Sequence, residues 1–294
     1  MVQRNFLVHT DYTDYNLTIE ITANQSIMLS LDGKKNGCVL IQVQKMQTDD
    51  RSNELMKPTS AYIVAIEADT KCNTNGDLAP KIGTQHMIRT AMNVTMRLAK
   101  WVTSFRLSDA SQRECRPNGQ MVSLSKFLIA LEGHTWYEKT FAAKLEYAPL
   151  RKSYKKFLEN FGEKPMPFDI FTQSYLNNVT INLHGVEHVY KRANTYRKFF
   201  ASLRTLFPKM EDLCEFMQPW VEIFVDQMFS HVKFFSEYWT IAKADVPAIS
   251  FTMKQLSSSP YVVGGSLKKA LERRHDSPKH MVDPRRRLYS VGDE

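Results

Sequence analysis

The stretch KIGTQHMIRTAMNVTMRLA, residues 81–99, decides how the first half of this chain folds. The apolar run YIVAI at 62–66 precedes it and predicts a strand, and apolar residues then repeat at helical spacing from Met87 to Leu98. Gly83 stands where the turn before this helix is expected. Such a turn either holds a phosphate on its backbone N–H groups or only supplies a positive φ between two elements.

Composition and charge are those of a globular protein. The chain has 294 residues, of which 43% are hydrophobic and 24% charged, and its formal net charge is +8. This basicity is compatible with solubility, with docking on an acidic protein surface or with nonspecific nucleic-acid contact. Zinc-finger, helix-turn-helix and RNA-recognition patterns are absent from the sequence. The sequence contains no apolar run of transmembrane length, and residues 1–16 lack the apolar core of a secretory signal.

The four cysteines are widely spaced and form no pair with metal-ligand spacing. This pattern predicts a reducing compartment, in which each cysteine is a small buried hydrophobic residue. The positions are Cys38, Cys72, Cys115 and Cys214.

The first third of the chain has the patterning of a sheet. YNLTIEITA (15–23), SIMLSLDG (26–33) and CVLIQVQKM (38–46) alternate apolar and polar residues and predict sequential antiparallel strands. The continuous apolar run from Tyr62 to Ile66 predicts a central strand that is covered on both faces.

The segments after residue 99 predict a strand, a helix and more extended structure. WVTSFRLSD (101–109) reads as a strand. SLSKFLIALEG repeats apolar residues at helical spacing, with Ser123 as the cap and Gly133 as the stop. HTWYEKTFAAKLEY (134–147) returns toward extended structure.

The sequence after Pro149 is mostly helical in period and rich in aromatic residues. One helix is predicted to reach Leu203, and another to start at Pro219 and to reach Trp239. The predicted class is therefore α+β. Its parts are an α/β domain at 1–148, a helical region at 149–244 and a basic extended tail at 245–294.

The order of elements over residues 1–147 resembles the GNAT N-acetyltransferase fold, a mixed sheet flanked by helices that binds acetyl-CoA. In that family an R/Q-x-x-G-x-G/A pattern before the first long helix holds the CoA pyrophosphate, and the pantetheine arm lies where the two flanking strands splay apart. LAPKIG (78–83) keeps the last glycine, whereas Leu78 and Lys81 replace the first residue and the first glycine. The resemblance implies cofactor contacts from Lys81, Ile82, Gly83, Thr84 and Gln85.

The same resemblance implies two catalytic residues if the site is active. Tyr137 stands where many GNAT enzymes have a tyrosine that protonates the departing CoA thiolate. Glu67 ends the central strand, where such folds often place a base for the acceptor amine. The alternatives are a Trp136–Tyr137 pair packed between sheet and helix, and a solvated charge at Glu67.

The stretch FRLSDASQRECRPNGQMVSLSKFLIALEGHTWYEKTF (105–141) is similar to GNAT-like proteins of giant and other large nucleocytoplasmic DNA viruses. Those proteins combine an L-x-D-x-S strand end, here 107–111, with a later G-x-[TS]-W-Y, here 133–137. Their glycine-phenylalanine step after Tyr-x-Lys is shortened in YEKTF (137–141).

Two further constellations have simpler interpretations. Asp109, Ser111 and His134 have the residue types of a nucleophilic triad, but no nucleophile elbow surrounds them, and Asp109 with Ser111 is typical of a turn or cap. His184 and His188 have His-x-x-x-His spacing without the H-E-x-x-H motif, which favours a chance spacing over a metal site.

Two functions are compatible with these observations. The first is a virion-associated structural protein, of minor capsid type, of a large DNA virus, built on a degenerate GNAT-like fold. Its partners would be other virion or capsid proteins, bound through the helical region and the tail, and its locations the virion and, during assembly, the host cytoplasm. The alternative is an acetyl-CoA-dependent N-acetyltransferase that acts on an amine.

Overall fold

The computed structural model describes residues 2–22, 26–32, 38–43, 59–66, 80–115, 120–163, 188–189, 191–228 and 238–256. This part of the chain has an α+β architecture, in which a nine-stranded mixed sheet packs against helices and a small hairpin. No helix in this part is both long and apolar enough to cross a membrane.

The strands of the large sheet follow the order β11-β1-β2-β3-β4-β5-β6-β10-β9, and β7 and β8 form the separate hairpin. The strands are β1 Val2–Thr10, β2 Asp14–Ile21, β3 Ile27–Leu31, β4 Val39–Val43, β5 Thr59–Ile66, β6 Val102–Ser108, β7 Gln112–Cys115, β8 Gln120–Ser123, β9 Lys144–Leu145, β10 Tyr238–Ala242 and β11 Phe251–Gln255. The helices are α1 Pro80–Leu98, α2 Leu124–Glu132, α3 Trp136–Phe141, α4 Ala148–Glu163, α5 Tyr196–Leu206 and α6 Met210–Met228, and a short 3-10 helix spans Lys243–Asp245.

Strands β1 to β5 pair in chain order as an antiparallel meander. The pairing of β2, β3 and β4 confirms the prediction from their alternating sequences, whereas β1 was not predicted. β6 then pairs with β5 in the parallel direction, and α1 is the helix of the crossover between them. β10 and β11 are antiparallel to their neighbours.

One face of the large sheet carries the core. Alternate residues of each strand are buried there, such as Leu17 and Ile19 in β2 and Phe105 and Leu107 in β6. α1 packs on this side, since it contacts β3, β4 and β6. The predicted burial of β5 on both faces is wrong, because Val64 is 42% exposed.

Helices α4, α5 and α6 share an aromatic core. The ring of Phe161 in α4 stacks on Tyr196 and Phe200 of α5 at 5.5 and 5.7 Å, and Phe200 stacks on Trp220 of α6 at 6.0 Å. α2 packs against both α5 and α6 and so joins this layer to the rest of the fold. The aromatic periodicity of the sequence reflects this core.

Local capping chemistry sets the ends of α2 and α3. The Ser123 side chain accepts from the N–H of Lys126, and Gly133 ends α2 with a φ of 76°, as predicted. The predicted extended structure after Gly133 is wrong at 136–141, where Thr135 and Glu138 form a capping box that starts α3.

The sheet crosses the expected boundaries at 148 and 244. β10 lies between β6 and β9, and β11, from the expected tail, pairs with β1 at the edge. Trp239 belongs to β10 rather than to a helix, and Pro219 lies inside α6 rather than at its start. The expected basic clusters of the tail lie outside the described residues.

The prediction of reduced cysteines is wrong. Cys115 at the end of β7 and Cys214 in α6 form a disulfide, with their Cα atoms 5.3 Å apart, and Cys38 is also disulfide-bonded. Because Cys115 and Cys214 are 99 positions apart, sequence spacing carried no sign of this pair. The bond ties the hairpin to the aromatic helical layer.

Candidate functional site

The predicted site residues belong to chain segments near the carboxyl ends of the parallel strands β5 and β6. In sheets with parallel strands and helical crossovers, ligands bind at this end. β5 ends at Ile66, so the predicted base Glu67 follows it directly but lies outside the described residues. Gly83 lies near the start of the crossover helix, and Asp109 directly follows β6.

The glycine motif forms part of a helix rather than a turn. α1 already begins at Pro80, so the interpretation of Gly83 as a positive-φ turn residue is wrong. Gly83 is buried, and Thr84 and Gln85 are half-buried. In a helix the N–H groups from the fourth residue onward bond to carbonyls four residues earlier. The N–H groups of Gly83, Thr84 and Gln85 are therefore committed to α1, and among the predicted contacts only Lys81 and Ile82 keep N–H groups outside the helical bonding pattern.

The same end of α1 packs on the turn between β1 and β2 through His86. His86 is 8% exposed, and its Nε2 lies 3.1 Å from the Thr10 hydroxyl oxygen. Because that hydroxyl donates its proton to the Thr13 carbonyl at 2.6 Å, Nε2 must be the donor toward Thr10. Burial lowers the pKa of His86, and the charge of Arg89 lowers it further, against an opposing effect of Asp11.

Tyr137 lies in α3 and is 8% exposed. Its ring meets the Trp136 ring edge-on at 5.0 Å, so the two form the packed pair that the alternative interpretation describes. Burial raises the pKa of Tyr137, and the charge of Asp109 raises it further. The hydroxyl therefore keeps its proton over the physiological pH range.

Asp109 is a deeply buried carboxyl group at this end of the sheet, with 3% of its surface exposed. Its Oδ1 accepts from the Ser111 N–H at 3.2 Å and from the Ser111 hydroxyl, so the predicted turn interpretation is confirmed. Its Oδ2 is buried without a hydrogen-bond partner in the described part of the chain. Burial raises the pKa of Asp109 more than the Ser111 hydrogen bonds lower it, and the charge of Glu138 adds to the rise.

Glu138 and Tyr154 extend this polar cluster toward α4. Glu138 Oε2 accepts from the Thr135 N–H and from the Tyr154 hydroxyl, each at 2.7 Å. Burial raises the pKa values of both Glu138 and Tyr154. The Thr-x-x-Glu spacing of the capping box was readable in the sequence, but its bond to Tyr154 depends on the packing of α4.

The nucleophilic triad is not assembled. Both ring nitrogens of His134 have partners other than Asp109 and Ser111, since its Nε2 lies 3.5 Å from Glu132 Oε2 and its Nδ1 lies 3.3 Å from the Thr135 carbonyl oxygen. No group of three or more His, Cys, Asp or Glu among the described residues is placed to hold a metal ion, and His184 lies outside those residues. The cluster of Asp109, Tyr137 and Glu138 thus offers buried proton donors and acceptors rather than a nucleophile.

The parallel strands stay joined almost to the end of β6. Their pairing runs to Ile63 and Leu107, and β5 continues to Ile66 while paired with Val39 of β4. If β5 and β6 splay apart to hold a pantetheine arm, they can do so only beyond Ile63 and Leu107, next to Asp109. Comparisons with protein-family models, curated proteins and solved structures found no match to this chain.

Proposed function

We propose that this chain is a virion-associated structural protein, of minor capsid type, of a large DNA virus, and that its GNAT-like fold has lost catalysis. The observation that carries the loss of catalysis is the position of Gly83 inside α1. A pyrophosphate cradle needs several free backbone N–H groups that converge on one anion. Pro80 has no N–H, and those of Gly83, Thr84 and Gln85 are used by the helix.

The burial of Tyr137 points in the same direction. A general acid must come within hydrogen-bond distance of the atom that it protonates. Tyr137 is 8% exposed and packed against Trp136, and the strands beside it are paired to Leu107. Both features favour a role in packing over the protonation of a thiolate.

The disulfide supports the structural part of the proposal. Disulfides persist in oxidising surroundings, and virion surfaces are among them. The Cys115–Cys214 bond fastens the β7–β8 hairpin, which lies apart from the large sheet, to α6 of the helical layer. Such a cross-link suits a particle component, and partners of the helical region and tail would be other virion or capsid proteins.

Mass spectrometry of purified virions from cells that express the chain tests this proposal. We expect the chain at a constant ratio to other capsid proteins after protease treatment of intact particles. Absence from the particles would end the proposal. Non-reducing peptide mapping of the particle-derived chain should also recover the Cys115–Cys214 peptide pair.

The alternative function, acetyl-CoA-dependent N-acetylation of an amine, is favoured by Asp109. A buried carboxyl group with an unpartnered oxygen beside a protonated tyrosine costs stability, and groups of this kind cluster at functional sites. Acetyl-CoA at a hundred times its Kd would stabilise the protein by about 2.7 kcal/mol in a thermal melt. The alternative predicts that acetyl-CoA stabilises the wild-type protein in this way. It predicts no such stabilisation for Lys81→Glu and the full stabilisation for the control variant Lys100→Glu, which changes an exposed lysine elsewhere. The structural proposal predicts no shift in any of the three proteins.

A further inference from the structure

The outer face of α4 carries a group of exposed cations to which neither proposed function assigns a specific ligand. Four of them come from the first turns of α4, and a fifth, at the start of α5, lies across a shallow groove from them. We call this surface the α4 basic face. Its residues are Arg151, Lys152, Lys155, Lys156 and Arg197.

The burial of the opposite side of α4 turns these cations outward. Tyr154 and Phe161 are buried, and they pack on Trp239 and on Tyr196 of the core. Residues one and two positions from Tyr154 on a helix point away from that core. Lys152 and Lys156 are one turn apart on the solvent side, with their Cβ atoms about 6 Å apart.

Little negative charge neutralises the α4 basic face. Glu159 is the acidic side chain that the structure describes on α4, and it lies 3.9 Å from Lys155, which is 81% exposed. Arg151 donates to the carbonyl oxygens of Leu145 and Glu146, which are neutral acceptors. The ion pairs among the described residues do not include Lys152 or Lys156.

Gly162 allows Arg197 to join this surface. A Cβ atom at Gly162 would lie 2.8 Å from the guanidinium carbon of Arg197, so the arginine lies over α4 where a larger residue would stand. Arg197 also donates to the Leu158 carbonyl at 3.3 Å. With Lys155 it lines a groove of about 230 Å³ between α4 and α5.

The charge and the side-chain composition of the α4 basic face favour nucleic acid over a protein or a membrane as its partner. Protein interfaces have aromatic and apolar centres and few lysines, whereas the exposed residues of α4 between positions 151 and 156 are four cations and Ser153. An interfacial membrane helix presents large apolar residues to the lipid, but those of α4 are either buried or partly buried against the core. Surfaces that bind nucleic acid are polar and strongly positive, and their lysine and arginine side chains contact phosphates.

We propose that the α4 basic face binds the phosphate backbone of nucleic acid without regard to base sequence. Each phosphate that a cation neutralises on duplex DNA adds about −0.9 to the slope of log K against log salt. The five cations would contribute a slope of about −4.5. This proposal is independent of virion association. A chain that binds DNA but is absent from particles would support the nucleic-acid proposal and contradict the virion proposal.

The test compares two triple variants of the full chain by fluorescence anisotropy with 20-base-pair duplexes of two unrelated sequences. Lys152→Gln/Lys155→Gln/Lys156→Gln removes three cations from the face and keeps good helix formers. We expect its slope to be smaller in magnitude by about 2.7, which corresponds to a loss of about 500-fold in affinity at 0.1 M salt if the two proteins bind equally at 1 M salt. The two duplexes should bind alike.

The matched control removes three exposed lysines elsewhere and changes the net charge equally. It is Lys100→Gln/Lys243→Gln/Lys254→Gln. The proposal expects the control to keep the wild-type slope, and circular dichroism should show that both variants are folded. Equal losses in both variants would mean that bulk charge drives binding, and wild-type binding by the α4 variant would assign it to another region. Binding to phosphatidylserine vesicles or to polyglutamate without binding to DNA or RNA would also overturn the proposal.

Discussion

Loss of the Cys115–Cys214 disulfide should lower the stability of the whole fold, because the bond joins two distant parts of the chain. The two cysteines are 99 positions apart and both are buried. In the chain-entropy model, a bond that closes a loop of this length stabilises the fold by about 4.7 kcal/mol, and removal of native disulfides costs about 2–5 kcal/mol. The cost reflects the greater freedom of the unfolded chain rather than lost contacts.

Thermal unfolding of Cys115→Ala/Cys214→Ala, followed by circular dichroism, measures this cost. The unfolding entropy is about 2.1 cal/mol/K per residue, so for 294 residues a loss of about 2–5 kcal/mol lowers the Tm by about 3–8 °C. Alanine avoids the burial of unpaired hydroxyl groups that serine would cause.

Reduction of the wild-type protein separates the cross-link from the packing of the sulfur atoms, because both sulfurs remain in place. Since Cys38 is also disulfide-bonded, a Cys38→Ala variant treated in the same way is the matched control. An unchanged Tm in the double variant, or free thiols at both positions in the native protein, would refute the reasoning.

Three further substitutions test separate parts of the fold. Lys126→Ala should cost about 2–3 kcal/mol in urea unfolding, because Lys126 is 2% exposed and lies 2.6 Å from Asp226, while Lys126→Met keeps the packed stem and should cost less. The free energy of unfolding should fall as the pH drops below 6.5, because burial lowers the pKa of His86 in the folded state and the unfolded chain is therefore protonated first. His86→Gln keeps a donor toward Thr10 and should make the free energy of unfolding less dependent on pH in this range. Gly133→Ala should cost about 1 kcal/mol in the same urea assay, because the φ of Gly133 is 76°.

The local elements were largely predictable, because their causes lie within a few residues. Alternating apolar residues predicted β2, β3 and β4, and Ser123 with Gly133 predicted both ends of α2. The prediction of extended structure at 134–147 failed because a local helix-start signal was not recognised. Thr135 and Glu138 form a capping box that starts α3, and residues 134–147 had been predicted to be extended.

Positions set by distant partners were not predictable. Trp239 follows a helical periodicity in sequence, yet it lies in β10 because β6 and β9 offer hydrogen-bonding partners on both sides. Gly83 has the residue type of a turn, yet α1 extends past it to Pro80. The Tyr154 hydroxyl reaches Glu138 only because α4 packs beside α3.

The sequence by itself determined the class of the protein, the meander of the first strands and the existence of the crossover helix, since periodicity and capping act over one or two turns. The tertiary structure alone decided that Cys115 meets Cys214, that Asp109 lies buried beside Tyr137, and that the cations of α4 face solvent together with Arg197. These pairings depend on how helices and strands far apart in the chain pack around one core, and the free energy of that packing is not contained in any short stretch of residues.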